Sequence, residues 1–462
     1  MVESGGDGMA DMVHELGGLE IRRGHALRAA VERGLAGSAD PVVGLLDVVG
    51  VERTVADLRA AFATPGVQVT HTFAVKACSL VPVLALLGAC GMGAEVASPG
   101  ELAVALAAGV PAGRIVLDSP AKTVEELREA LELGVAVNAD NAQELARIDA
   151  LRDELARAGR PSASPVGLRV NPQIGSGSIG AMSTATATSK FGVALRDPGA
   201  LEWVLAAYAD RPWLNRLHTH TGSQGVPLEL MAAGVKAAYE LAERINAAAG
   251  RQQVATLDIG GGLPVNFGSD EVTPAFAEYA AVLRTEVPGL FDGRYALVTE
   301  FGRSVLAKNG TVLARVEYAK SSGGRPIAVT HAGAQVATRT VFVPDAWPIR
   351  VLALDAKGRE KTGEPVVQDV AGPCCFAGDL LARGRELPLL EAGDHVALLD
   401  TGAYYFSNHF AYNSLPRPAV YGYTVRADGE VEFAPVREAQ TAAQLLAESG
   451  GGLPPLTPSR GL

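Results

Sequence analysis

Short apolar runs alternate with amphipathic segments between residues 67 and 301. The runs are rich in Val, Leu, Ile and Ala, which is typical of strands that are covered on both faces of a parallel sheet. In chain order they read VQVTHTFAVK, GAEVAS, RIVLDSP, VAVNAD, PVGLRVNP, NRLHTHTGS, ATLDIGGG and ALVTEFGR. The pattern therefore predicts eight strands in this part of the chain.

The segments between these runs carry helix signals. SPGELAVALAAGV and TVEELREALELGV have helical periodicity, begin with a capping Ser or Thr that a Glu follows, and contain a Gly near the end. Eight strand–helix units over about 240 residues are typical of a (β/α)8 barrel. An open doubly wound sheet, the alternative, normally has fewer strands. We predict an α/β chain with a (β/α)8 TIM barrel over residues 51–310.

After residue 310 the chain becomes rich in valine and turn residues, as in GTVLARVEYAK, DHVALLDTGAYY and AVYGYTVRADGEVEFA. This texture predicts a C-terminal all-β domain over residues 311–440. Residues 1–50 contain strand and helix patterns that fit either domain, and we expect them to pack with the β domain. The Gly- and Pro-rich end, residues 441–462, is predicted to be a disordered tail.

Composition narrows the class of protein. A formal net charge of −11 and the lack of aromatics interleaved with Lys or Arg argue against a nucleic-acid partner. No apolar run is long enough to span a bilayer, and the amino terminus lacks the pattern of a signal peptide, so we expect a cytoplasmic protein without membrane association. Four cysteines in 462 residues do not form a disulfide framework. We predict free thiols in a reducing compartment.

Polar residues of unusual chemistry close or interrupt the predicted strands. In a (β/α)8 barrel the active site is built at the carboxyl ends of the strands, so these residues are expected around one rim. They are Lys76, Glu95, Arg169, Asn171, His218, His220, Gly260, Gly261, Gly262, Glu300 and Arg303.

Lys76 ends an apolar run, where a buried ammonium would carry a large desolvation penalty. One interpretation is that its side chain extends past the strand end into water. The other is a reactive lysine that forms a Schiff base with a carbonyl compound. The surrounding motifs must decide between these two interpretations.

The glycine run Gly260–Gly262 and Arg303 occupy places where barrels often bind phosphate. A glycine run by itself is more often a flexible turn. Together with Lys76 and Glu300 it forms a set that pyridoxal 5′-phosphate (PLP) uses: an imine-forming amine, an anion site and a carboxylate for the pyridine nitrogen. His220 would stack on the ring, although a buried core histidine is the alternative.

Six motifs in order resemble the PLP-dependent decarboxylases of the alanine-racemase fold (fold type III), which include the diaminopimelate, ornithine and arginine decarboxylases. They are FAVKAC, HTGSQ, LDIGGG, EFGRS, GPCC and GAYY. The resemblance implies a PLP barrel with a β domain, which agrees with the pattern. It implies no metal and a homodimer with shared active sites.

The resemblance also implies roles for individual residues. Lys76 would bind PLP, His220 would stack on its ring, and Cys375 would donate a proton across the dimer interface. The implied cofactor-binding residues are Lys76, Glu95, Arg169, His220, Ser223, Gly260, Gly261, Gly262, Glu300, Gly302, Arg303 and Tyr404. The implied substrate-binding residues are Arg303, Arg339, Cys375, Phe376 and Tyr404. Without the preceding Gly-Pro, Cys374 and Cys375 would be interpreted as two small core residues.

This chain departs from the family pattern at several positions. Cys78, Phe301 and Glu95 stand where Asn, Pro and Asp are usual. Phe376 stands where relatives have an acidic residue that binds the distal ammonium of the substrate. Arg339 is retained, and in diaminopimelate decarboxylases its counterpart binds a distal carboxylate, but Val343 takes the place of the companion tyrosine.

We therefore expect a PLP-dependent decarboxylase of an amino acid or a derived substrate, and not of diaminopimelate itself. A carboxylated or carrier-linked side chain and a role in specialised metabolism are compatible with this expectation. A racemase or epimerase on the same fold is the alternative enzyme, and a non-catalytic homologue that regulates a decarboxylase is the alternative from another class.

Overall fold

The computed structural model describes residues 17–456. Within this range the chain folds into two compact units. The barrel unit comprises Val48–Gly310 and Asp400–Ser407, and the β-rich unit comprises the segment up to Asp47, Thr311–Leu399 and the segment from Asn408 onward. The predictions for residues 1–16 and 457–462 lie outside the described residues. Helix α1 (Leu19–Glu32) and strand β1 (Val42–Asp47) come first and belong to the β-rich unit.

Eight parallel strands close into a barrel, which confirms the predicted fold. The barrel strands are β2 (Val69–Ala74), β3 (Gly93–Val96), β4 (Ile115–Asp118), β5 (Ala136–Ala139), β6 (Val166–Asn171), β8 (Leu214–Thr219), β9 (Thr256–Asp258) and β10 (Ala296–Phe301). Their order is β5-β4-β3-β2-β10-β9-β8-β6, and the β5–β6 pairing closes the ring. A short strand, β7 (Val193–Ala194), adds to the outer side of β6. All eight predicted strands are present, and most of their residues are buried, as the apolar runs predict.

In the barrel unit, one helix precedes the first barrel strand, and a helix follows each barrel strand along the chain. They are α2 (Val48–Phe62), α3 (Val81–Ala89), α4 (Pro99–Ala107), α5 (Val124–Leu133), α6 (Ala142–Arg157), α7 (Ala200–Asp210), α8 (Leu228–Ala249), α9 (Phe276–Glu286) and α10 (Arg303–Leu306). Helix α5 shows how the sequence sets their ends. Thr123 and Glu126 form a capping box at its start, and Gly134 ends it with φ 80°.

Phe301 is part of an aromatic cluster that packs β10 against the helices. Its ring centroid lies 5.1 Å from that of Phe276 and 6.2 Å from that of Phe62, and the residue is fully buried. Phe301 replaces the proline of the family motif. The ring contacts show that Phe301 serves packing. The replacement therefore does not change the polar residues near the end of the strand.

The β-rich unit contains a nine-stranded mixed sheet. Its strands after β1 are β11 (Gly310–Ser322), β12 (Arg325–Thr330), β13 (Val351–Leu354), β14 (Pro365–Ala371), β15 (Leu380–Pro388), β16 (His395–Leu398), β17 (Ala419–Val425) and β18 (Val431–Arg437). The main order is β15-β14-β12-β11-β1-β17-β18, and β16 pairs with both β11 and β13. The helices are α11 (Ala334–Phe342) and α12 (Ala442–Glu448).

The N-terminal segment completes this sheet. Strand β1 runs parallel to β17, and Leu27 of α1 belongs to a core cluster with Leu45 and Tyr423. Arg22 donates to Asp47 at 2.6 Å, and both residues are buried, so an ion pair fixes α1 on β1. The strand and helix patterns before residue 50 therefore build the β-rich unit up to Asp47.

Two boundaries differ from the sequence-based prediction. Residues 400–407, predicted to belong to the β domain, fold with the barrel unit. The segment predicted to be a disordered tail contains α12, where Thr441 and Gln444 form a capping box. This capping box satisfies backbone N–H groups at the start of the short helix. The high Gly and Pro content of the segment did not predict that helix.

Candidate active site

Lys76 lies at the carboxyl end of β2, where a single 3-10 turn, Val75–Ala77, follows the strand. Its side chain is 50% exposed, yet its Nζ lies 2.7 Å from Oε2 of Glu95, which is 1% exposed. Burial by itself would lower the pKa of the Lys76 amine, but the carboxylates of Glu95 and Glu300 raise it above its ordinary value. The lysine therefore points toward a polar cavity and does not extend away into bulk water.

That cavity has a volume of about 360 Å³ at the carboxyl ends of the barrel strands. Nine of the residues that the sequence singled out line it: Lys76, Arg169, His220, Ser223, Gly262, Glu300, Gly302, Arg303 and Tyr404. Glu95 reaches the cavity through its hydrogen bond to Lys76. Gly260 and Gly261 are not among the lining residues, but they connect β9 to Gly262.

The glycine run is required by close approaches of backbone to backbone. A Cβ atom at Gly261 would collide with the carbonyl oxygen of Glu300, and one at Gly262 would collide with the carbonyl oxygen of Gly222. Gly262 also has φ 100°, a conformation that side chains disfavour. The run is therefore a built part of the rim and not a flexible turn, and its small size leaves room for a ligand.

His220 lies at the end of β8 beside the glycine run. Its Nδ1 accepts a hydrogen bond from the backbone N–H of Gly261 at 3.1 Å. Burial and the positive charges of Arg169 and Lys76 hold the pKa of His220 well below its ordinary value. The ring is therefore neutral and faces the cavity, which separates it from an ordinary core histidine.

Arg303 and Tyr404 form a second part of the rim. The guanidinium carbon of Arg303 lies 4.4 Å from the ring centroid of Tyr404, a cation–π arrangement. Tyr404 has φ 76°, which is uncommon for a residue with a side chain, and its N–H donates to the carbonyl oxygen of Ala77 at 2.6 Å. The backbone next to Lys76 thus holds Tyr404 in place, which explains why residues 400–407 fold with the barrel.

Glu300 ends β10 and is 6% exposed. Its Oε1 atom has no hydrogen-bond partner among the described residues. Burial and the nearby Asp258 carboxylate raise the pKa of Glu300 well above its ordinary value. A buried carboxylate oxygen without a donor is costly, so its position in the wall of a cavity indicates a ligand that supplies a donor.

Arg169 lies on β6 and pairs with Asp118 at the end of β4, with 2.7 Å between Nη1 and Oδ2. Its guanidinium carbon also lies 4.4 Å from the ring centroid of Phe191. Burial raises the pKa of Asp118, but Arg169 and His218 outweigh it and hold that pKa below its ordinary range. Arg169 is therefore fixed by an anion and an aromatic ring at the cavity wall.

Sequence reasoning missed several lining residues. They are Asp118, Ser119, Thr184, Lys190, Phe191 and Ser304. Asp118 closes the apolar run RIVLDSP at the carboxyl end of a barrel strand, the same signal that identified Lys76 and Glu300. Lys190 and Phe191 lie in the long connection after β6, where no strand pattern marks them.

In the described part of the chain, one group of three candidate metal ligands has its ligand atoms within 4.8 Å of one another: Asp118, His218 and Glu300. Arg169 already pairs with Asp118, and His218 lies 3.2 Å from a carboxylate oxygen of Asp258. We therefore interpret the group as an ion-pair network.

Cys375, Phe376 and Arg339 belong to the β-rich unit and are not among the residues that line the barrel cavity. Cys375 is exposed, and its backbone N–H donates to Oδ1 of Asn413 at 2.8 Å. Its neighbour Cys374 is 6% exposed, and burial followed by the Asp379 carboxylate raises the pKa of Cys374 to about 11. Of this pair, only Cys375 offers a thiol at the surface of the unit.

Phe376 is held in an aromatic cluster. Its ring stacks on Phe342 with centroids 5.4 Å apart and 5° between the planes, and it meets Tyr412 edge to face at 5.4 Å. Arg339 lies on the same helix as Phe342, with its guanidinium carbon 5.0 Å from the Trp347 ring centroid. Val343, at the end of this helix, is 49% exposed.

The residues at the cavity fit PLP. The unsatisfied Oε1 of Glu300 matches the protonated nitrogen of the pyridine ring, and the neutral ring of His220 matches a stacking partner. The tight glycine run and Arg303 match an anion such as the phosphate group. Lys76 supplies the amine. A (β/α)8 barrel with this rim and an accompanying β domain is the architecture of fold-type III PLP enzymes, the class that the sequence motifs indicated.

The chain belongs to the family of pyridoxal-dependent decarboxylases, whose pyridoxal binding domain matches residues 49–307. It is a PLP-dependent amino-acid decarboxylase, a carboxy-lyase, as the resemblance of the six motifs implied. It is similar to a diaminopimelate decarboxylase of Pseudomonas fluorescens, with 34% identity over 439 residues, 95% of this chain and 98% of that protein.

Solved structures agree with this family. A diaminopimelate decarboxylase from M. jannaschii in co-complex with L-lysine has a TM-score of 0.80 and 25% identity, covering 93% of this chain and 94% of that one. A diaminopimelate decarboxylase from Helicobacter pylori complexed with L-lysine has a TM-score of 0.76 and 25% identity, covering 89% of this chain and 97% of that one.

Between residues 17 and 456, no helix combines the length and apolarity that crossing a bilayer requires.

Proposed function

We propose that the chain decarboxylates an amino acid whose side chain lacks a distal ammonium group, and that diaminopimelate is not its substrate. A carboxylate or a carrier-linked group at the end of the side chain fits this proposal, with Arg339 as its partner. Such a substrate belongs to specialised amino-acid metabolism. The observation that carries the proposal is the position of Phe376 in an aromatic cluster.

The chemistry divides between the cofactor and the chain. Bound PLP supplies an electron sink that stabilises the negative charge left on Cα when CO2 departs. Lys76 would hold the cofactor through its amine. Glu300 would keep the ring nitrogen protonated, which would maintain the ring as an acceptor of electrons. The buried, unsatisfied Oε1 atom of Glu300 supports this role.

The remaining rim residues bind and orient. The neutral ring of His220 offers a face on which a flat aromatic cofactor can stack. The backbone at Gly260–Gly262, together with Ser223, Arg303 and Tyr404, holds the phosphate group. Glu95 holds the amine of Lys76 in place in the cofactor-free protein. Gly302 and Arg169 complete the wall of the cofactor site.

We assign the proton that returns to Cα to the thiol of Cys375. Its exposure on the β-rich unit supports contact with a second molecule, since a proton donor must reach the reacting carbon. The proposal is a homodimer in which Cys375 of each protomer serves the barrel cavity of its partner. The neighbouring Cys374 is buried and is not assigned a role in chemistry.

Specificity is assigned to the segment CCFAGD, which follows Gly372-Pro373. A distal ammonium needs an acidic partner, and Phe376 offers a ring already stacked on Phe342. Asp379 is the acidic residue of the segment, but it is 3% exposed. Its two carboxylate oxygens accept from the backbone N–H groups of Ala334 and Cys374 at 2.7 Å each. Asp379 therefore shapes the loop and is not available to an ammonium.

The names of the similar proteins point toward diaminopimelate, and the loss of the acidic residue points away from it. At 34% identity a family can retain its cofactor site and change its side-chain pocket, because the two are built from different residues. The retained Arg339 supports a substrate that still ends in an anion.

A screen of CO2 release by the PLP-loaded enzyme tests this proposal. The panel contains meso-diaminopimelate, ornithine, lysine, glutamate and longer dicarboxylic amino acids, free and as thioesters of a carrier. We expect CO2 release from a panel member without a distal ammonium. The decarboxylated product should form in larger amounts than racemised substrate. Release from diaminopimelate alone would contradict the proposed specificity, and racemisation without CO2 would contradict decarboxylation.

A further inference from the structure

His218 lies under the barrel cavity in a place that the chemistry above does not use. It is on β8, two residues before His220, and is 0% exposed. Its Nδ1 lies 3.2 Å from Oδ1 of Asp258, and its Nε2 lies 3.3 Å from Oδ2 of Asp118. Nε2 also lies 4.0 Å from Oε2 of Glu300. One buried imidazole thus faces three carboxylates.

The geometry requires a proton on both ring nitrogens of His218. A neutral imidazole has one N–H donor and one lone pair, and the lone pair would face a carboxylate oxygen. Nδ1 also lies 3.2 Å from the carbonyl oxygen of Asp258, a second acceptor. The oxygen atoms that lie 3.2–3.3 Å from the two ring nitrogens are all acceptors, so the imidazolium form places a charged N–H opposite an acceptor on each side of the ring.

A count of the buried charges also favours the imidazolium form of His218. Three carboxylates, those of Asp118, Asp258 and Glu300, meet two guanidinium groups. Arg169 pairs with Asp118 at 2.7 Å, and Arg216 pairs with Asp258 at 3.3 Å. When Glu300 is ionised, as its proposed contact with a protonated ring nitrogen requires, a protonated His218 makes the buried group neutral, which low-dielectric surroundings favour. Asn138 adds a neutral donor to Asp258 at 3.1 Å.

We propose that His218 is a positioning residue: as an imidazolium held by Asp258 and Asp118, it orients Glu300 and balances its negative charge, so that Glu300 presents a carboxylate to the ring nitrogen of PLP. This inference rests on the proposed role of Glu300. Without the imidazolium, burial and the Asp258 carboxylate would favour a protonated Glu300, which cannot accept a hydrogen bond from a protonated ring nitrogen at the same oxygen.

The proton on His218 has a defined dependence on pH. The three carboxylates outweigh burial and raise the pKa of His218 well above its ordinary value. The stability that this proton contributes is therefore complete below about pH 6.5, the pKa of an unfolded histidine, and is lost as the pH rises through the folded pKa. The other groups that act on this site include Lys76, Glu95, Lys122, Arg169, Arg216 and His220.

The first test measures the ring directly. The cofactor-free protein is labelled with 15N-histidine, and the His218 signals are assigned by their loss in His218→Gln. We expect two protonated nitrogens at pH 7.5, and we expect Asp118→Asn to lower the pH at which the proton is lost. A neutral imidazole at pH 7.5 would overturn the inference, and this measurement needs only the wild-type fold.

The second test follows the cofactor, with His71→Gln as the matched control. His71 is another barrel histidine at 7% exposure, but its Nδ1 lies 2.8 Å from Oγ1 of Thr299, and burial followed by Arg59 lowers its pKa to about 4. With PLP labelled at the ring nitrogen, His218→Gln should shift the 15N signal toward the unprotonated form and weaken PLP binding by about tenfold or more. His71→Gln should leave the 15N signal unchanged.

Glu300→Gln separates failure of the inference from failure of the proposed function. If Glu300→Gln changes the ring-nitrogen signal and His218→Gln does not, the inference is wrong and the role of Glu300 stands. If neither variant changes that signal while His218 is charged, the role of Glu300 is wrong. Thermal unfolding of the cofactor-free proteins gives a further readout: His218→Gln should lose more stability at pH 6 than at pH 9.

Discussion

The Nζ atom of Lys76 lies 2.7 Å from Oε2 of Glu95, and this pair joins the ends of two adjacent barrel strands. The carboxylate is buried and the lysine side chain is half-exposed, so the amine is anchored from below and open to the cavity above. Glu95 stands where aspartate is usual in the family. Its additional methylene extends the carboxylate from β3 toward the amine.

Replacing Lys76 by Ala should abolish covalent attachment of PLP and decarboxylation. The fold should persist, because half of this side chain is exposed and it fills no core. Borohydride reduction followed by mass spectrometry measures the attachment. Lys190→Ala is the matched control, since Lys190 also lines the cavity and should leave the adduct intact. A reducible PLP adduct in Lys76→Ala would place the reactive amine elsewhere.

Replacing Glu95 by Gln should shift the pH profile of PLP attachment. Only the neutral amine of Lys76 can attack the cofactor, and the Glu95 carboxylate raises the pKa of that amine. Its removal should lower this pKa and move the profile toward lower pH by about one unit or more. The measurement is the rate of PLP attachment to the cofactor-free protein from pH 6 to 10. A profile that stays in place would show that Glu95 does not set the charge of Lys76.

Replacing Glu300 by Gln should keep PLP bound but lower kcat by roughly a hundredfold or more, the size expected when a preorganised electrostatic contact is lost. The amide retains the shape of the side chain and removes its negative charge. Steady-state kinetics with the best substrate of the screen, together with the PLP content of the protein, give the comparison. Unchanged kcat at full PLP occupancy would contradict the role assigned to Glu300.

Replacing Cys375 by Ala should slow the return of the proton to Cα and change the products that form after CO2 is lost. Mixing Lys76→Ala with Cys375→Ala should restore about a quarter of wild-type activity after exchange of subunits, because half of the dimers are mixed and each has one intact site. Cys374→Ala is the matched control, since Cys374 is a buried neighbour with no assigned chemistry. No recovery in fully exchanged mixtures would argue for sites within one protomer.

The sequence predicted the barrel because the strands are mostly buried apolar runs, and it predicted most of the rim because polar residues lie at or near the carboxyl ends of several of these strands. Asp118 carries the same signal and was missed because no motif contains it. His218 was visible beside His220, but its role depends on three strands that meet only in the closed barrel. The place of Tyr404 beside Ala77 depends on contact between distant segments, which local patterns do not encode.

Replacing Phe376 by Glu should create the acidic partner that this segment lacks. An unpaired, desolvated ammonium costs about 2–5 kcal/mol, so restoring the carboxylate should raise kcat/KM for diaminopimelate by some tens to thousands of times. The effect should appear mainly in KM, since the PLP contacts are built from other residues. Phe376→Gln is the matched control, because it removes the ring from its stack on Phe342 without adding a charge. Equal gains in both variants would indicate relief of steric blockage.

The measurement that tests the account most directly is kcat/KM of the wild-type, PLP-loaded enzyme on meso-diaminopimelate, set against the best member of the substrate panel. With Phe376 stacked on Phe342 and Asp379 committed to two backbone N–H groups, we predict that diaminopimelate is poorer by about a hundredfold or more. Turnover of diaminopimelate at least as efficient as that of every other panel member would show that Phe376 does not face the side chain of the substrate and would contradict the proposed specificity.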